Sequence, residues 1–249
     1  MAAEPGAPLI SVIVPCYNAA AYLTEAIESV LSQEPSPLEV IVIDDGSTDG
    51  SAEVVRRFGE AVRSVSQANA GIAAARNRGV ELARGRYLAF LDADDVWPAG
   101  SLAQRLATLH APPAAACVFG AVEEFISPEL DEGARARLCG AHAVQPARLA
   151  GTMLIEREAF LRVGLFDPRL TVGETLDWVA RAEDARLPMR VTQAVVLRRR
   201  IHRDNAVRRE KAQHRDYLRV LRASLARRRT TVALCEERSK RHEAAPKAE

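Results

Sequence analysis

Asp92 and Asp94 stand two residues apart at the end of an apolar run, in Phe90-Leu91-Asp92-Ala93-Asp94-Asp95. Two carboxylates so spaced on a strand terminus can share a hard divalent cation. Mg²⁺ or Mn²⁺ takes oxygen ligands, keeps several waters and is often completed by substrate phosphates. A cation held against a diphosphate neutralises the charge that grows as the diphosphate leaves. The competing use is local: Asp94 and Asp95 would cap the helix that follows Pro98. Asp44 and Asp45 close a second apolar run. They can accept hydrogen bonds from a base N–H or a ribose hydroxyl, or form an Asx turn with Gly46 and Ser47. Arg76 can pair with a phosphate or with Asp94, or stand as a surface arginine. Glu174 and Asp177 are three apart and share a helix face. That suits a general base, or simply a helix N-terminus that favours acids.

Other chemistries are disfavoured. The chain lacks GxxxxGKS/T, lacks GxGxxG after its first strand and lacks HExxH, which argues against a P-loop kinase, a dinucleotide-binding dehydrogenase and a zinc protease. Cys16, Cys117, Cys139 and Cys235 stand far apart with no CxxC pair, so a zinc site or redox motif is not expected, and a reduced, cytoplasmic protein is. The 249 residues are 48% hydrophobic and 27% charged, which excludes a disordered or fibrous chain. Lys and Arg number 34 against 33 Asp and Glu, a net +1, so no overall field marks out nucleic acid as a partner. The balance hides an asymmetry, because from Arg198 onward the charge is about +10. The bland reading of this tail is a solvated helical face; the sharper one is contact with phosphates, anionic lipid or an acidic partner. No stretch approaches the roughly 20 apolar residues of a membrane span, and the run at 9–14 is too short for a signal sequence. The expectation is a soluble protein, at most peripheral to the inner face of a membrane.

The elements that must position these groups follow from periodicity. Residues 9–15 are a continuous Val- and Ile-rich run, a buried strand. Asn18 then offers a helix cap, and Leu23, Ala26, Ile27, Val30 and Leu31 recur at helical spacing. Strands at 40–43, 62–65 and 87–91 alternate with a short helix to Phe58, capped by Asp49 or Ser51, and a helix over 71–84. This βαβαβαβ order predicts a parallel sheet covered on both faces, with ligands bound beyond the carboxyl ends of its strands. Farther on, the sequence predicts a helix over 98–110, a strand over 114–125 and an irregular insertion over 127–148. A strand over 151–155 follows, then helices over 157–163 and 173–186, a strand over 189–198 and an Arg-rich helix over 205–229.

Four ordered motifs make the pattern specific: Ser11-Val12-Ile13-Val14-Pro15-Cys16-Tyr17-Asn18; Val42-Ile43-Asp44-Asp45-Gly46-Ser47-Thr48-Asp49-Gly50; Asn69-Ala70-Gly71-Ile72-Ala73-Ala74-Ala75-Arg76-Asn77-Arg78-Gly79; and the Asp92-Ala93-Asp94-Asp95 segment. Together they resemble the family-2 glycosyltransferases of the GT-A fold. Gly151-Thr152-Met153-Leu154-Ile155, Gly164-Leu165-Phe166-Asp167 and Arg200-Ile201-His202-Arg203-Asp204-Asn205 look like that family's acceptor-side half. The resemblance implies an α/β GT-A domain over 1–209, with a mostly parallel sheet flanked by helices. A Rossmann-like nucleotide-sugar-binding half would span 9–110 and an acceptor half 111–209, with a basic helical tail over 210–249.

By resemblance, Pro15, Tyr17 and Asp45 hold the nucleotide base, with Asp44 beside them. Asp92 meets the ribose or the metal, Asp94 ligates the metal, and His202 reaches the metal or the diphosphate. The implied reaction is inverting transfer from a nucleotide sugar, a UDP-sugar first, to a hydroxyl of a glycan, lipid-linked or peptide acceptor, aided by Mg²⁺ or Mn²⁺. The family places its base as the Asp of a Glu-Asp pair opening a helix, often with Asp-Trp two residues later. Here the stretch is Gly173-Glu174-Thr175-Leu176-Asp177-Trp178, so Thr175 occupies that position. Glu174 is then the expected base, with Asp177 its rival. The alternative is a binding protein of this fold that holds nucleotide sugar or glycan without transferring it.

Overall fold

The computed structural model describes residues 9–34, 38–131, 133 and 144–202. The 205–229 helix and the 210–249 tail lie outside the described residues. Eight strands form one sheet in the order β3-β2-β1-β4-β7-β5-β6, with β8 paired to β5. They are β1 (Ile10–Cys16), β2 (Leu38–Asp44), β3 (Arg63–Ser66), β4 (Tyr87–Phe90), β5 (Cys117–Ile126), β6 (Gln145–Ala147), β7 (Leu154–Glu156) and β8 (Met189–Ile201). The helices are α1 (Leu23–Leu31), α2 (Ser51–Arg56), α3 (Ile72–Leu82), α4 (Ser101–His110), α5 (Arg157–Val163) and α6 (Glu174–Asp184). Among the described residues no helix is long and apolar enough to cross a membrane.

The first half is parallel, as the alternation predicts: β1 pairs with β2 through Val12 opposite Val40, and with β4 through Val12 opposite Ala89. All seven residues of β1 are buried, which is why it reads as a continuous apolar run. Its alternate residues feed opposite layers. Ile10, Val12 and Val14 pack with the apolar faces of α1, α2 and α4, while Ile13 packs with α3 and with Phe160, Phe166 and Trp178. On that second side Phe160 stacks on Trp178 at 5.0 Å between ring centroids. β7 then runs antiparallel to both β4 and β5, and β8 returns parallel to β5, so the second half is mixed.

Several local expectations differ from the structure. Asn18 caps no helix; α1 begins at Leu23 without a side-chain cap, and Asn18 lies in the left-handed region at φ 50°. α2 follows Gly50, which has no side chain to cap it; Asp49 Oδ1 accepts the amide of Ser51, the helix's first residue, at 2.9 Å, while Asp49 Oδ2 and the Ser51 hydroxyl also hold the β1–α1 loop. The strand expected over 151–155 opens as a 3-10 turn at Ala150–Thr152, leaving the three residues of β7. The 127–148 insertion contains β6. β8 runs to Ile201, and that extra length carries Arg200 and His202 to the site.

Gly79 sets how closely α3 approaches the sheet. A Cβ there would lie 2.3 Å from Cγ2 of Ile13, which is wholly buried in β1. Gly79→Ala is therefore expected to destabilise the protein by about 1–3 kcal/mol through overpacking, although alanine is the better helix former. Urea unfolding measures this, and a variant as stable as the wild type would show that α3 has room to move.

Candidate functional site

The carboxyl ends of β1, β2 and β4 open on one rim, and hydrogen bonds between loops fix its shape. The Asn18 amide donates to Ser47 Oγ at 3.0 Å, and the Thr48 amide donates back to Asn18 Oδ1 at 2.8 Å. The Ala19 amide donates to Ser51 Oγ and the Ala20 amide to Asp49 Oδ2, both at 3.0 Å. Asn18 is of a residue type that enters the left-handed region readily, and its side chain there reaches Thr48 of the neighbouring loop. Tyr17, at the tip of this loop, is 44% exposed, whereas Pro15 is buried within β1.

Asp44 and Asp45 are both buried and both serve turns. Asp44 Oδ1 accepts the Ser47 amide at 2.9 Å, a bond three residues on and so one residue longer than an Asx turn. Asp45 Oδ1 accepts Gln67 Nε2 at 2.8 Å and the Ala70 amide at 2.9 Å, and its Oδ2 accepts the Gly71 amide at 2.8 Å. Gly71 stands just before α3 at φ 89°, a conformation glycine adopts without strain. Asp45 thus holds the start of α3 against the end of β2.

Arg76 projects from α3 and is 3% exposed. Its Nη2 donates to Asp92 Oδ1 at 2.5 Å and its Nη1 to Glu174 Oε1 at 2.5 Å. The sequence suggested Asp94 as its partner; the structure supplies Asp92 and Glu174 instead. Burial alone would disfavour the guanidinium's charge, but the two carboxylates outweigh it and raise the Arg76 pKa. Burial likewise works against ionised Glu174, and Arg76, with the Thr175 hydroxyl at 3.0 Å, holds its carboxyl below the ordinary value. Next along α3, Asn77 grips the segment between α5 and α6: its Nδ2 donates to the Phe166 carbonyl at 2.8 Å and its Oδ1 accepts the Phe166 amide at 3.0 Å. Asp177 turns the other way, accepting Arg181 Nε at 2.8 Å, and Arg181 also donates to the carbonyls of Val163 and Leu165.

Asp94 is met from the far end of the chain. His202 Nε2 lies 2.9 Å from Asp94 Oδ2, and the imidazole packs on Tyr22 at 4.7 Å between ring centroids. Tyr22 donates its hydroxyl to Glu129 at 2.5 Å; burial, and then that acid, push its pKa up to about 12. Arg200 donates Nε to the Asp94 carbonyl at 3.0 Å and its amide to Asp95 Oδ1 at 2.9 Å, and it pairs with Glu25. Asp95 is buried, and burial, then the charges of Asp94 and Asp92, hold its pKa well above the ordinary carboxylate value. Neither Asp94 nor Asp95 caps α4, which starts after Gly100 with no side-chain cap. Sequence reasoning assigned no role to Tyr22, Glu129, Asn77 or Arg200. Only Arg200 carried a usable signal, its even spacing from His202 on one face of a strand.

Asp92 and Asp94 keep side chains 34% and 30% exposed, Asp92 against Arg76 and Asp94 against His202. Among the described residues no three His, Cys, Asp or Glu side chains gather as a ready metal cage. This donor set fits Mg²⁺ or Mn²⁺, which bind through one or two carboxylates and take the rest of their shell from water and phosphate.

A model of the family described as Glycosyl transferase family 2 matches residues 11–160, more than half of the chain. The chain is 50% identical over 93 residues to the uncharacterized glycosyltransferase YibD of Escherichia coli K12, covering 36% of this chain and 27% of that protein. It is 41% identical over 103 residues to a putative teichuronic acid biosynthesis glycosyltransferase, TuaG of Bacillus subtilis, covering 40% of this chain and 41% of that one. These alignments thus span less than half of either relative. Among solved structures, S. aureus TarS 1-349 in complex with UDP-GlcNAc superposes with a TM-score of 0.68 at 18% identity, covering 88% of this chain and 66% of that one. The mannosyltransferase PcManGT of Pyrobaculum calidifontis, in complex with GDP-Man and Mn²⁺, gives 0.64 at 24% identity, covering 89% and 66%. At these identities the two structures establish the likeness of fold, GT-A.

Two expectations follow from the charge geometry. Because the Glu174 pKa is lowered on folding, its contribution to stability is complete above its ordinary 4.5 and is lost as pH falls through the lowered value. Thermal melts from about pH 6 to pH 3 should therefore fall less steeply for Glu174→Gln than for the wild type, and parallel curves would contradict the pairing. Asp45→Ala should cost about 2–4 kcal/mol in denaturant unfolding, since it strands two backbone donors and an amide. A loss under about 0.5 kcal/mol would show that those groups find water instead.

Proposed function

The chain belongs to glycosyl transferase family 2, and from that premise we propose that it transfers a hexosyl group, with inversion, from a nucleoside-diphosphate sugar to an acceptor hydroxyl. The observation that carries this reading is the pair of contacts made just beyond β4: partly exposed Asp92 joined through Arg76 to Glu174, and partly exposed Asp94 against His202. The ligands of the two superposed structures, UDP-GlcNAc in one and GDP-Man with Mn²⁺ in the other, support a nucleotide-sugar donor, and we take a UDP-sugar first.

In this proposal exposed Tyr17 lies against the base, an aromatic face suited to stacking. Asp45, with Asp44 and Pro15, shapes the base pocket through the turns they hold. Asp92 meets the ribose or a divalent cation; Asp94 and His202 are the groups that would hold that cation. Bound there, Mg²⁺ or Mn²⁺ would neutralise charge on the departing diphosphate. The acceptor oxygen forms its bond to the anomeric carbon on the face opposite the bond that breaks, so a single displacement inverts the centre. The hydroxyl proton must go to a carboxylate, because a neutral alcohol is a poor nucleophile. Glu174 is our assignment for that base: it faces Asp92 across Arg76 and is ionised at neutral pH, while Asp177 is turned toward Arg181. One observation favours the second reading, a nucleotide-sugar or glycan-binding protein without transfer. Both Glu174 and Asp177 are paired with arginines, and a hydroxyl, Thr175, stands between them in sequence.

Site variants test the assignment. Asp94→Ala should abolish Mn²⁺-dependent turnover with little change in melting temperature; full activity would remove Asp94 from the site. Glu174→Gln should lower turnover by about 10²–10⁴-fold, with Asp177→Asn much milder. The opposite ranking would move the base to Asp177 and leave the enzyme reading standing. Tight nucleotide-sugar binding with no transfer to any acceptor would favour the binding protein.

A further inference from the structure

Arg76 stands between carboxylates that belong to different halves of the molecule. Asp92 lies in the loop after β4, within the proposed nucleotide half, and Glu174 opens α6, within the proposed acceptor half. Each η nitrogen serves one of them at 2.5 Å. The planar fork of a guanidinium can make two such charge-assisted bonds at once, which an ammonium cannot do in the same geometry. The Nε is buried and has no hydrogen-bond partner among the described residues, so nothing else anchors the head group on that side. One positive charge therefore answers two negative ones in a place that is 3% exposed, where water screens little. What Arg76 gives to one carboxylate is withheld from the other.

We propose that Arg76 is a positioning residue that couples the donor end of the site to Glu174, so that a ligand at Asp92 and the charge on Glu174 set each other's free energy. The coupling rests on the reading of Asp92 as a donor-side group. Its sign follows from the shared cation. When a nucleotide with its divalent cation draws on Asp92, the guanidinium's pull falls more fully on Glu174 and fixes that carboxylate, ionised, against α3. Conversely, a neutral Glu174 leaves the whole pull on Asp92, which then competes with the incoming ligand. Linkage makes the two effects equal in size. The functional consequence is order: Glu174 is held in its working position most firmly once the donor is in place.

The test is a double-mutant cycle read by calorimetric titration of UDP in the presence of Mn²⁺, with the full chain and no acceptor. Glu174→Gln in the wild-type background should weaken UDP binding by about three- to thirty-fold. With Arg76→Gln already present, the same change should alter affinity by less than about twofold. Arg76→Lys covers the case in which Arg76→Gln does not fold. A point charge cannot span both carboxylates, so the effect of Glu174→Gln should again be smaller than in the wild type. An equal factor in every background, or no effect in the wild type, would overturn the coupling while leaving the donor site intact. Failure of wild-type protein to bind UDP at any Mn²⁺ concentration would instead sink the donor reading, and the coupling with it.

Discussion

A buried guanidinium must be answered, and in this protein the answer ties the molecule together. Removing one partner from a buried ion pair typically costs about 3–5 kcal/mol, because the other charge is left without compensation. Arg76 has two partners, so β4, α3 and α6 must all be in register for the charge to be tolerated. The supporting contacts serve that register. Asp45 fixes the start of α3, Gly79 lets the helix lie against Ile13, and Asn77 holds the Phe166 segment beside it. The Arg76 guanidinium itself lies 5.9 Å from the Phe166 ring, at the edge of the aromatic cluster that α5 and α6 bury.

The opposite side of the site depends on β8. Its last residues lie over the loop after β4 because β5 and β8 stay paired as far as Ile126 and Ile201. A second clasp, mutual backbone hydrogen bonds between Val96 and Arg198, keeps that loop against the strand. Arg200 and His202 are thereby delivered to Asp94 and Asp95, more than a hundred residues earlier in the chain. Asp95, buried and with a raised pKa, lies beneath its two more exposed neighbours, so the three acids of the motif occupy three different environments.

The part of this arrangement that is legible in sequence is the part built from local rules. β1, β2 and β4 are visible because buried parallel strands are continuous apolar runs, each stopped by residues that favour turns, whereas β3 at the sheet edge is mostly exposed and shows through the alternation of elements around it. The Asn18 cap failed for a physical reason: its side chain bonds the Thr48 amide across the loops, and a cap preference cannot see a competing partner 30 residues away. β7, three residues long and antiparallel, is legible as a strand but not in its start, because the 3-10 turn at Ala150–Thr152 shares its apolar pattern. Arg76 and Glu174 are 98 positions apart, and nothing in their spacing announces the pair. His202 was reached through family resemblance alone, since an isolated histidine beside arginines has no periodicity to betray it.

If these groups form a working site for a nucleotide sugar, the bound donor must break down there. The most direct measurement is nucleotide release from a panel of UDP-, GDP- and other nucleoside-diphosphate sugars, with and without Mn²⁺ and with and without candidate acceptors. Release should depend on one donor class, require the divalent cation and rise when a suitable acceptor is supplied. Release that is absent for every donor while none of the nucleotides binds would contradict such a site.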